Sequence, residues 1–142
     1  MTSERPRRID ATDIYHTTRA VRHCSLDPSI RCLAELRTSQ INGCCDNCEN
    51  LRVSEAEALG IDADKLRELA RWADSDRFTA RERAALAWCE SFTHFRPVDA
   101  STRMMAINTF SPRELADLTL AIELTSTMSR VARHMDSDVR AG

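Results

Sequence analysis

Three sulfurs crowd the stretch Gln40–Arg52, QINGCCDNCENLR: those of Cys44, Cys45 and Cys48. Thiols so placed can hold a metal, staple a fold, cycle between dithiol and disulfide, or pack as small apolar groups. Structural zinc takes four ligands, normally as two clustered pairs. Cys24, Cys32, Cys89 and four scattered histidines supply no second pair, so no metal is expected. Packing suits Cys89, which shares an apolar helical face with Ala85, Trp88 and Phe92, and it suits Cys24. It suits Cys45 and Cys48 less well, because Asp46, Asn47, Glu49 and Asn50 surround them.

Redox cycling has a physical route. Cys45 and Cys48 are three residues apart and share a face if they open a helix. That spacing fits the Cα separation of about 4.4–6.8 Å that a disulfide requires. Unpaired amide N–H groups at a helix start favour thiolate over thiol. Arg52, one turn beyond Cys48, adds a fixed positive charge, which Asp46 and Glu49 oppose. Cys44 lies four residues before Cys48 and is an alternative bonding partner, whereas a Cys44–Cys45 bridge would close a strained ring. Either Cys45 or Cys44 could therefore resolve an oxidised Cys48.

The elements that must position these groups are helices. Asp27-Pro28 pairs an N-cap with proline at the first helical position and opens a helix to about Ser39. Asn42-Gly43 breaks it, and a second helix is expected from Cys44 or Cys45 to Leu59, stopped by Gly60. Asp62 or Asp64 caps a third, carrying Leu66, Leu69 and Ala73. Thr79–Glu82 and Ser111–Glu114 are capping boxes, the second opening a helix to about His134. A weaker pattern predicts a helix from Asp13 to His23, and His94–Ala100 reads as a connection. No segment alternates apolar and polar residues over strand length, so the fold class is all-α.

At 142 residues the chain is expected to form one domain, 1–142, with residues 1–10 frayed. The 20 basic and 22 acidic residues nearly cancel, which excludes a polyanion-binding excess; nucleic acid is not expected as a partner. No apolar run approaches the roughly 20 residues a bilayer requires, and nothing resembles a signal peptide, so membrane association is not expected and the location is expected to be cytoplasmic. Thiols are kept reduced there, which argues against a disulfide framework. Aromatic residues make up only 5%, a limited core that favours burial of further apolar area by self-association.

The stretches LAELRTSQINGC (Leu33–Cys44), the CxxC followed by EAEALG, RWADSDRFTARERAALAWCESFT (Arg71–Thr93) and FSPRELADLTLAIEL (Phe110–Leu124) resemble the alkyl hydroperoxidase D and carboxymuconolactone decarboxylase superfamily. The resemblance covers nearly the whole chain. It implies a helical bundle, a homo-oligomer (a trimer or a hexamer), and no organic cofactor. In the peroxide-reducing branch a CxxC dithiol attacks the peroxide and closes to a disulfide that an electron donor reopens. Matched by motif, Cys48 is the attacker and Cys45 the resolver. A glutamate about a helix before the CxxC and a histidine four residues after its second cysteine relay the proton.

Here the pattern is broken. Arg52 stands at the histidine position, and Cys32 or Leu33 at the glutamate position; the nearest acid, Glu35, lies one turn later. An extra residue makes Cys44 and Cys45 adjoin, and Thr125–Arg130 replaces an asparagine-rich turn near the end of the last helix. Guanidinium stays protonated near neutral pH and cannot shuttle protons as imidazole does. Arg52 can stabilise a thiolate or an anionic substrate group, and Glu35 is either a substitute acid or a surface charge; whether Cys32 approaches the dithiol from the preceding helix is left open by the sequence. The expected activity is reduction of peroxides or disulfides through Cys45 and Cys48, weakened by the missing relay and dependent on a thiol reductant. Two alternatives compete: a decarboxylase-like lyase using Arg52 and His94, and a catalytically inactive oligomeric scaffold.

Overall fold

The computed structural model describes residues 25–43 and 46–141, with side chains described for 25–43 and 49–135. These residues form six α-helices and one 3₁₀ helix and contain no strand: α1 (Pro28–Asn42), α2 (Asp46–Ala58), α3 (Ala63–Glu68), the 3₁₀ helix (Leu69–Asp74), α4 (Ala80–Thr93), α5 (Ala100–Thr109) and α6 (Pro112–Ala141).

Local chemistry sets most of the boundaries. Asp27 caps α1 by accepting from the Ser29 amide at 2.7 Å, with Pro28 at the first helical position. Gly43 ends α1 in the left-handed region, at φ 63°. Gly60 ends α2 at φ 80°, where the Ile61 amide donates to the Ala56 carbonyl and the Gly60 amide to that of Glu57. Asp62, not Asp64, caps α3. Both predicted capping boxes form: Thr79 with Glu82, and Ser111 with Glu114.

Three expectations need correction. Helix α3 gives way after Glu68 to a 3₁₀ turn, because Arg83 reaches across to the carbonyls of Trp72, Ala73 and Ser75 and holds that end open. Helix α5 occupies a stretch with no predicted element; Asp99 caps it through the Thr102 amide at 2.7 Å. Helix α6 continues past His134 to Ala141. The Asp13–His23 helix predicted from sequence lies outside the described residues.

Helix α1 is the axis of the packing and touches α2, α4, α6 and the 3₁₀ helix. Ile30 and Ala34 meet Ala84, Ala85 and Cys89 of α4 and Leu118 and Ile122 of α6. Leu33 and Leu36 instead meet Leu69, Phe78 and Leu86, with Val53 of α2 against them. A third face of α1, carrying Cys32, Glu35 and Ser39 at helical spacing, is equally buried but polar.

Register follows from the polar contacts. Arg31 pairs with Glu55 and Glu35 with Arg52, so α1 and α2 form an antiparallel hairpin. Ser25 bonds Asp117 beside the start of α1, and Asn42 bonds Ser126 at its end, so α1 and α6 run parallel. Among the described residues no helix is long and apolar enough to cross a membrane.

Candidate functional site

Cys48 is the third residue of α2, so its backbone belongs to the first turn, where amide N–H groups have no partner within the helix. This is the placement that the spacing predicted for the second cysteine of the CxxC. Cys44 and Cys45 lie outside the described residues, and the Cys48 side chain is likewise not described.

One turn further along α2, Arg52 occupies the position where the relay histidine was expected. Its guanidinium donates to Glu35 Oε2 at 2.7 Å, and the two residues are 4% and 2% exposed. The surface-charge reading of Glu35 is thus overturned. The charge of Arg52 is opposed by that buried carboxylate. Arg31 joins the cluster through its Nε, 3.2 Å from Glu35 Oε1, and through a guanidinium nitrogen 3.4 Å from Glu55 Oε1. Two cations and two anions therefore alternate across the α1–α2 seam. A buried pair of this kind gains little over apolar packing, but removal of one member costs about 3–5 kcal/mol, because a charge is left uncompensated.

Cys32, at one of the two candidate positions for the relay glutamate, packs its sulfur 3.8 Å from the Arg52 carbonyl oxygen. It touches α2 from the preceding helix at the level of Arg52, one turn past Cys48. A thiol there can solvate a backbone carbonyl; it is no substitute for a carboxylate that cycles protons near neutral pH. Arg31 and Glu55 were not identified from the sequence. Their signal was the helical spacing Arg31–Glu35 and Arg52–Glu55, which puts opposite charges on one face of each helix.

The other sulfur with a described environment, Cys89, packs as a buried residue, as its apolar face predicts. Burial pushes its thiol up to about 11, against hydrogen bonds from Thr38 and Thr93 that act the other way. Cys89 is therefore an inert thiol. His94 is exposed at the C-cap of α4, its amide donating to the Glu90 carbonyl. It is remote in sequence and element from the α1–α2 seam.

The model of the carboxymuconolactone decarboxylase family matches residues 11–91, more than half of the chain and all of the α1–α2 hairpin. The chain belongs to that family. The uncharacterized protein YnjA of Escherichia coli strain K12 is 32% identical over 114 residues, covering 78% of this chain. The match spans 61% of the length of YnjA. The crystal structure of a protein of unknown function from Agrobacterium tumefaciens, suggested to be the antioxidant defence protein AhpD, superposes with a TM-score of 0.76 at 25% identity, covering 89% of this chain and 86% of that one. The family assignment and the all-α, AhpD-like fold thus agree with the resemblance carried by SQINGC and RERAALAW. Arg52 stands where the resemblance placed a histidine, and its partner Glu35 lies one turn after the expected glutamate position.

Proposed function

We propose that the protein is an alkyl hydroperoxidase-type thiol oxidoreductase that reduces peroxides, or disulfides, through Cys45 and Cys48. The observation that carries this reading is the position of Cys48 in the first turn of α2, where backbone amides lower the cost of a thiolate. The Cys48 thiolate attacks the peroxide, forming an S–O bond as the O–O bond breaks. The alkoxide leaves and takes up one proton. The Cys45 thiol then attacks the sulfenic sulfur, forming the disulfide and releasing water. A dithiol reductant reopens the bridge by exchange.

The assignment of roles to Cys48 and Cys45 follows the family motif, and Cys44 is the alternative resolver. The Arg52–Glu35 pair braces the angle at which α2 leaves α1. The buried pairing of Arg52 also weighs against a lyase, which would need an uncommitted cation for its carboxylate substrate. A homo-oligomer in the cytoplasm remains the expected setting.

Thiol counting tests the proposal. One equivalent of hydrogen peroxide should consume two thiols per chain, and Cys48→Ser should abolish the loss. A folded protein that keeps all its thiols would point instead to an inactive scaffold, and the oxidoreductase reading would be dropped.

A further inference from the structure

The α1–α2 hairpin has a third rung. Arg31 meets Glu55 and Glu35 meets Arg52, so each turn forward on α1 corresponds to about one turn back on α2. The next inward residue of the α1 stripe is Ser39, and the turn of α2 at that level is the one that contains Cys48. Ser39 is 1% exposed, and its hydroxyl has no hydrogen-bond partner among the described residues.

A second hydroxyl is in the same condition. Ser129 of α6 is 2% exposed, and its Oγ also has no partner among the described residues. Its place is fixed by its neighbours on that helix face. Ser126, three residues earlier, accepts from Asn42 Nδ2 at 3.2 Å; Arg133, four residues later, donates to the Asn42 carbonyl at 2.9 Å. Ser129 is therefore bracketed by two contacts to Asn42, while Ser39 lies one turn before Asn42 on α1. Both hydroxyls sit within a turn of one residue, at the end of α1 that leads through Gly43 into the cysteines.

A buried hydroxyl with no partner is costly, and the usual resolution is a small polar molecule that both donates and accepts hydrogen bonds. Internal waters are held in this way, by two to four polar groups. We infer that Ser39 and Ser129 hold an internal water level with Cys48, and that this water supplies the proton that the missing imidazole would have delivered. This role rests on the reading of the protein as a thiol oxidoreductase.

The balance closes. Cys48–S⁻ and R–O–OH give Cys48–SOH and R–O⁻; the water protonates R–O⁻ and becomes hydroxide. Hydroxide takes the proton of the Cys45 thiol and restores the water. The Cys45 thiolate then displaces hydroxide from Cys48–SOH, and that hydroxide neutralises the proton released earlier when Cys48 ionised. Serine hydroxyls are too weakly acidic to do this themselves. Their work is to hold the water.

Ser39→Ala and Ser129→Ala, made separately, test the site in the reduced full-length protein. Water relaxation dispersion should register one long-lived internal water in the wild type and its loss in each variant. Each variant should also lower Tm, by roughly 2–4 °C. If the hydroxyls are idle, removing a desolvated group raises Tm and leaves the dispersion unchanged, and the site does not exist. With hydrogen peroxide as probe, each variant should slow thiol loss by about tenfold, and Ser129→Thr, which keeps a hydroxyl, should recover much of the rate. Loss of the water with no change in rate overturns the proton role. A wild-type protein that keeps its thiols overturns the oxidoreductase reading and the proton role together, while the dispersion result separately decides whether the site exists.

Discussion

The guanidinium of Arg52 lies 2.7 Å from the carboxylate of Glu35, across the seam between two helices and out of contact with solvent. A partner seventeen residues away in sequence thus fixes the Arg52 side chain.

Glu35→Gln keeps the shape of the side chain and removes its charge. Arg52 and Arg31 then lose the carboxylate charge they share, and the variant should lose about 3 kcal/mol of unfolding free energy in urea. The double variant Glu35→Leu/Arg52→Met removes both charges and should be more stable than Glu35→Gln. If the single and double variants are equally stable, the two charges are not coupled in the way their distance implies.

Arg52→His places an imidazole where the resemblance puts a proton-relay histidine. Where proton delivery limits peroxide reduction, the rate of thiol loss per folded molecule should rise, while stability falls because Glu35 loses the nearer of its two guanidinium partners. A rate constant no higher than that of the wild type would mean that proton transfer at this position does not set the pace.

Acid stability should follow three carboxylates that act as local anchors. The Thr102 amide bonded to Asp99, the Ser111 amide bonded to Glu114 and the Ser25 hydroxyl bonded to Asp117 each hold the acid below its ordinary value, 3.8 for the aspartates and 4.5 for the glutamate. The unfolded chain then binds protons first, so the contribution is complete above those values and is lost as pH falls through the lower folded ones. Thermal melts from about pH 6 to about pH 3 should show the decline, and Asp117→Asn should flatten it.

Alkaline stability should depend on Cys89. Its folded thiol is raised from 9.0 to about 11, so the unfolded chain ionises first and the contribution disappears as pH rises between those values. At pH below 9.0 the native protein should leave Cys89 unlabelled by a thiol reagent, and denaturation should expose it. Labelling of Cys89 in the native state would show that α4 opens locally.

Gly43→Ala should cost about 1 kcal/mol through backbone strain alone. The residue sits at φ 63°, and an added Cβ would meet nothing within 4 Å. A much larger loss in denaturant titration would mean that the turn is constrained by more than its dihedral angle.

How far the sequence could be read depended on the range of each interaction. Asp27-Pro28, Gly60 and the boxes at Thr79 and Ser111 act on amides and carbonyls only a few residues away, so spacing alone reveals them. Helix α5 was missed because Ser101, Thr102, Asn108 and Thr109 are weak helix formers, although Asp99 three residues before Thr102 was a usable start signal. The 3₁₀ turn was missed because its cause, Arg83, lies on another helix. Glu35 looked like a surface acid, since an isolated glutamate usually is one. Its burial is a tertiary fact, as is the buried state of Ser39 and Ser129.

The four alternating charges of the seam also bear on how this chain can change over time. Exchanging either Glu35 or Arg52 alone removes one charge from a buried cluster that both help to balance, so each constrains the other. A histidine at position 52 would need a compensating change at position 35 or would cost stability. Packing thus acts here as a ratchet on chemistry.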